Sequence, residues 1–203
     1  MKRILVLAVL ALALPTAVFA TSSIEYSNSG GTLTASTTGG LTLSGSDLTV
    51  IRSFPGGTPI TGANLGSVAF STGALTSGSL AQGGVFAPGG TFTITGNGMN
   101  GAPSGVLFTG TFSGPVTWTL ITNADGTHNY TLTGSLTGTT TSGFRTVGTT
   151  FQLTVNTGKG FFDDSATVGS GDTNIVVPEP GSLGLLGTGL IGLAGVVRRK
   201  LKA

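Results

Sequence analysis

The chain contains no cysteine, which excludes disulfide bracing and thiolate metal sites and leaves the fold to be held by its own core. Charge is scarce as well: Asp, Glu, Lys and Arg make up 8% of the 203 residues, with one histidine beside them. Acid–base catalysis needs positioned titratable groups, so this inventory offers little from which to build an active site. The net charge of +2 misrepresents the middle of the chain, because Lys2, Arg3, Arg198, Arg199, Lys200 and Lys202 all stand near the ends. Residues 21–176 hold three bases (Arg52, Arg145, Lys159) against six acids (Glu25, Asp47, Asp125, Asp163, Asp164, Asp172), a net of −3. A faintly acidic stretch lacks the clustered basic footprint that displaces phosphate counterions, which excludes nucleic acid as a partner. Sustained helical periodicity is also missing between Thr21 and Val176.

What the ends do have is apolar sequence. Lys2-Arg3, the run from Ile4 to Leu14 and the closing Val18-Phe19-Ala20 follow the layout of a secretory signal peptide, with cleavage expected between Ala20 and Thr21. At the other end Val177-Pro178-Glu179-Pro180 precede an uncharged Gly/Leu-rich run to Val197 and the bases Arg198, Arg199, Lys200 and Lys202. As a helix, residues 182–197 would span about 24 Å, short of the ~30 Å hydrocarbon core by a gap that snorkelling side chains and local thinning can cover. Pro178 and Pro180 fix φ and remove backbone donors, favouring an extended spacer. The basic residues hold their end in the cytoplasm by the positive-inside rule, which places the preceding domain outside. Gly184, Thr188 and Gly192 form a small-residue stripe suited to close helix approach. Three segments are predicted: a signal peptide over 1–20, an exported domain over 21–176, and a sorting and anchoring segment over 177–203 with a transmembrane helix near 182–197.

The middle is rich in Thr, Ser and Gly. Thr91-Phe92-Thr93-Ile94-Thr95 alternates apolar and polar residues, the mark of a strand with one buried and one wet face. Tyr130, Leu132 and Leu136, and Phe151, Leu153 and Val155, repeat the pattern. Val106, Phe108, Phe112, Val116, Trp118 and Leu120 share one parity across Gly114-Pro115, which predicts a bulge or short turn there. Asn123-Ala124-Asp125-Gly126 supplies the positive φ of a hairpin turn between Trp118–Leu120 and Tyr130–Leu136. Further strands are expected near 31–36, 41–44, 47–53, 65–71, 147–156 and 173–177. These add up to a single all-β domain of about eight to ten strands, a sandwich or jelly-roll-like barrel. Over 72–90 the Gly-rich, low-charge sequence leaves disorder as the competing expectation.

Candidate chemistry is thin. His128 follows the Asp125-Gly126 turn and has Asp125 as its nearest acid, but no nucleophile elbow accompanies it, and a solvent-exposed hairpin residue is the plainer expectation. Asp163, Asp164, Asp172 and Asn174 are the densest group of oxygen ligands. Their spacing fails the calcium-loop pattern, so a polar turn between strands is expected and no metal is assigned. The Thr-x-Thr pairs (Thr32/Thr34, Thr91/Thr93/Thr95, Thr117/Thr119, Thr131/Thr133) would line a strand face with hydroxyls, suited to an ordered surface or simply to water. Trp118 and Tyr130 share parity with hydrophobic neighbours and are expected in the core.

With the motif, apolar run and basic tail in order, residues 177–203 resemble a PEP-CTERM sorting signal. That resemblance implies a Gram-negative exporter of exopolysaccharide, the inner membrane and secretion machinery as partners, and recognition by an exosortase, a membrane transpeptidase acting near Pro178-Glu179-Pro180. The same tail resembles the carboxyl-terminal region of ice-binding proteins. The resulting expectation is a non-catalytic, cofactor-free protein of the cell surface or extracellular matrix. A binding module for exopolysaccharide or ice is the alternative, and a matrix hydrolase, needing His128 and a carboxylate in one cleft, is a third.

Overall fold

Alternating strands need partners, and in the computed structural model they find them by consecutive antiparallel pairing. The structure describes residues 21–35, 39–54, 57–143, 145–146, 148–178 and 189. The expected signal segment 1–20, and the expected membrane span 182–197 apart from Gly189, lie outside the described residues. Among the described residues no helix is long and apolar enough to cross a membrane. Backbone proximity divides the chain into Ser23–Val177 and a second unit made of 1–22 and 178–203. In that second unit the described residues are Thr21, Ser22, Pro178 and Gly189.

Among the described residues there are twelve strands, more than the eight to ten expected: β1 (Thr21–Ser29), β2 (Thr32–Ala35), β3 (Leu41–Phe54), β4 (Ile60–Ser71), β5 (Leu75–Ser79), β6 (Gly83–Phe86), β7 (Gly89–Asn97), β8 (Ser104–Phe112), β9 (Val116–Thr122), β10 (His128–Thr140), β11 (Gly148–Asn156) and β12 (Ser165–Pro178). Several are halves of one run. β1 and β2 both pair antiparallel with β3, and after a register shift between Ser27 and Asn28 the register carries from one to the other, Ser29 opposite Asp47 and Thr32 opposite Ser44. β8 and β9 lie one after the other along β10, which pairs with β9 over 128–133 and with β8 over 136–140. β4 leads to β5 across Thr72-Gly73-Ala74, and β6 to β7 across Ala87-Pro88. These breaks are stitched together by Leu75 N donating to Gly39 O at 2.8 Å, Ala87 N to Ala74 O at 2.8 Å and Ser113 N to Ser135 O at 2.9 Å.

Eight of the strands close a ring in the order β2-β3-β4-β7-β8-β10-β11-β12 and back to β2. Neighbours in the ring are antiparallel and follow the chain direction, so the barrel is an up-and-down meander. The expected all-β class is found, whereas the expected sandwich or jelly-roll connectivity is not. Alternation says which side of a strand is buried but is silent about which strand comes next. The 72–90 stretch is also ordered in strands, as β5 and β6 extend the β9–β10 edge.

The interior is filled with side chains. Phe70, Phe92, Phe112 and Phe151 pack ring against ring with centroids 5.0–6.1 Å apart, mostly edge-to-face, the arrangement that aromatic quadrupoles favour. Space for the rings comes from glycines opposite them. A Cβ on Gly134 of β10 would lie 2.9 Å from Phe112 Cδ1; small barrels commonly fill their taper by setting small residues against large ones. Most outward strand positions carry Thr, Ser, Asn or Gln, with Val106 and Ile121 as exposed apolar exceptions.

One expectation about residues changes here. Val106 is 48% exposed while Leu107 is buried, because the register slips where Ile94 faces Phe108 but Thr95 faces Val106. Leu107 is the extra residue of a bulge and takes over the inward face. The hairpin through Asn123–Gly126 forms as expected, with Leu120 opposite Tyr130 and Trp118 opposite Leu132.

Candidate functional site: an outer polar groove and the end of the last strand

The hairpin places Thr117 and Thr119 of β9 opposite Thr133 and Thr131 of β10. β10 then sets Thr133 opposite Gln152 and Ser135 opposite Thr150, and β11 sets these opposite Asp172 and Asn174 of β12. Outward alternation on four adjacent strands thus yields two polar rungs. The outward Thr-x-Thr residues are all at least partly exposed, as expected of a wet face.

The rungs line a groove of about 610 Å³ with Pro115, Glu25, Gly134 and Phe151. Two carboxylates enter it. Glu25 lies 3.5 Å from Arg52, with both side chains partly exposed. Asp172 Oδ1 accepts a 2.7 Å hydrogen bond from Ser27 Oγ. Among the described residues Arg52–Glu25 is the sole ion pair.

The acidic cluster marked in the sequence is divided by the fold. Asp163 and Asp164 sit in the β11–β12 connection, while Asp172 and Asn174 face the groove. No group of three or more His, Cys, Asp or Glu is placed to hold a metal among the described residues.

His128 is not the exposed hairpin residue expected. It is 7% exposed, stacked on Phe161 with centroids 4.3 Å apart, and its Nδ1 lies 3.1 Å from Thr122 Oγ1. Asp125 is engaged elsewhere, accepting from Thr127 N at 2.9 Å and Thr127 Oγ1 at 2.7 Å. Those donors hold its carboxyl below the usual range. His128 does not line the groove. Trp118 and Tyr130 are buried as expected, stacked 4.7 Å apart. Their polar tips donate to Leu80 O and Ala81 O, and the Tyr130 hydroxyl accepts from Phe162 N at 3.0 Å.

β12 runs to Pro178. Val176 pairs with Gly148 and Val177 is buried, so the first residues of the sorting segment belong to the barrel wall. Glu179, Pro180, Arg198, Arg199, Lys200, Lys202 and the expected cleavage residue Ala20 lie outside the described residues. Thr21 is the first residue of β1. Glu25, Gln152 and the convergence of the rungs were not singled out in the sequence; the signal available was polar alternation on β11, which does not reveal its neighbours.

No curated protein and no solved structure matches this chain. A family model of the PEP-CTERM protein-sorting motif matches residues 176–200. The chain therefore carries a PEP-CTERM sorting motif, which marks it for export and for membrane-associated sorting by an exosortase.

Proposed function

We propose that the barrel is a non-catalytic cargo, held at the inner membrane with the domain in the periplasm, cut from its tail, and passed to the cell surface or the extracellular matrix. The observation that carries this is the sorting motif running directly out of β12, with Val176 and Val177 already part of the wall. A cut on the amino side of Val177 would strip a strand end from a closed ring, so the cut falls on the carboxyl side of Pro178. The non-catalytic assignment draws support from His128, packed between Phe161 and Thr122 rather than in the groove. The test is fractionation of cells that produce the full chain. The wild type is expected outside the membrane fraction, and Glu179→Ala is expected to accumulate in it; equal distribution of the two would overturn the proposal.

A second function is favoured by the groove itself. Hydroxyl, amide and carboxylate groups from five strands converge there, which suits a binding module for exopolysaccharide better than one for ice, since a curved groove with a carboxylate offers no flat repeat.

A further inference from the structure

Resting on the binding-module alternative, we propose that the groove takes a neutral or amine-bearing glycan chain and rejects acidic glycans, with Asp172 setting the preference. The first rung, Thr117–Thr133–Gln152–Asp172, crosses four strands and so spans about 14 Å at the usual strand spacing. The second, Ser135–Thr150–Asn174, lies about 7 Å along. Hydroxyls and amides both donate and accept, as do sugar hydroxyls, so the plate matches a run of them without demanding one stereochemistry. The ring faces that could stack on sugars, Trp118 and Tyr130, are buried. Binding is therefore by hydrogen bonds alone, weak per site and raised by many copies along a polymer.

Charge decides among glycans. Arg52 offsets Glu25, whereas Asp172 has Ser27 as its hydrogen-bond donor and no ion pair among the described residues. A sugar ammonium reaching Asp172 gains a charge-assisted hydrogen bond, while a uronate placed there meets like-charge repulsion, strongest at low ionic strength.

The test is calorimetric titration of the full chain at low ionic strength and mildly acidic pH, where sugar amines are protonated. The probes are a glucosamine tetramer, cellotetraose and a galacturonate tetramer. Affinity is expected to fall in that order. Asp172→Asn is expected to lower glucosamine affinity about tenfold, the worth of one charge-assisted hydrogen bond, and to leave cellotetraose unchanged. Gln152→Ala is expected to weaken both, and Asp47→Asn, on the outer face of β3, neither. Galacturonate binding as tight as glucosamine, or an unchanged preference in Asp172→Asn, would overturn the charge proposal while leaving glycan binding in place. Failure of all three probes would overturn the binding-module alternative as well. Oligolysine binding in place of glycan would overturn both by identifying a peptide site.

Discussion

Tyr26 shows how the barrel acts on a single residue. It lies on β1 opposite Ile51 and is buried, and burial pushes its phenol up to about 12, because the low-dielectric interior disfavours the phenolate. A raised folded pKa contributes stability that is fully present below the unfolded value near 10 and is lost as pH rises toward 12. Between about pH 8 and pH 11 the wild type is expected to lose about 1.4 kcal/mol more than Tyr26→Phe in denaturant titrations; parallel losses in the two proteins would contradict this. At this scale the sequence was legible where a residue's own chemistry decides: Trp118 and Tyr130 go inside because their apolar bulk does. It was not legible where a neighbour decides. Val106 points outward because of a bulge set against Thr95 of β7, and His128 is covered by Phe161 from a loop that sequence alone cannot bring near.

The elements divide along the same line. β7, β10 and β11 announce themselves by period-two alternation, and Asp125-Gly126 names its own turn. β5 and β6 do not, being Ser- and Gly-rich, and their order comes from distant side chains. The turn between them is tied by Trp118 Nε1 to Leu80 O at 2.8 Å and by Tyr130 Oη to Ala81 O at 2.7 Å. Trp118→Phe keeps an aromatic ring in the core but removes one tie. It is expected to cost about 1–3 kcal/mol and to speed amide exchange in β5 and β6 while β3 and β4 keep their protection. Uniformly faster exchange would show that the tie is not local. The groove follows the same logic: its Thr-x-Thr residues were visible as outward hydroxyls, but their alignment with Gln152 and Asp172 depends on the registers of three strand pairs.

For the whole molecule, closure of the ring by β12 joins fold and fate. The pairing of β12 with β2 and β11 completes the barrel, and the sorting motif starts within that same strand. The sorting motif and the barrel therefore share Val176 and Val177, and under the proposed processing the barrel limits where the tail could be cut. The sequence showed an address and a β domain but placed no structural limit on the cut, because a strand's last paired residue depends on partners more than twenty residues away. The most direct measurement is the mass of the carboxyl-terminal peptide of protein recovered outside cells that carry an exosortase. The expected terminus lies at or shortly after Pro178, with residues 182–197 absent. Recovered protein that retains Arg198 to Lys202, or that ends before Val177, would contradict the account.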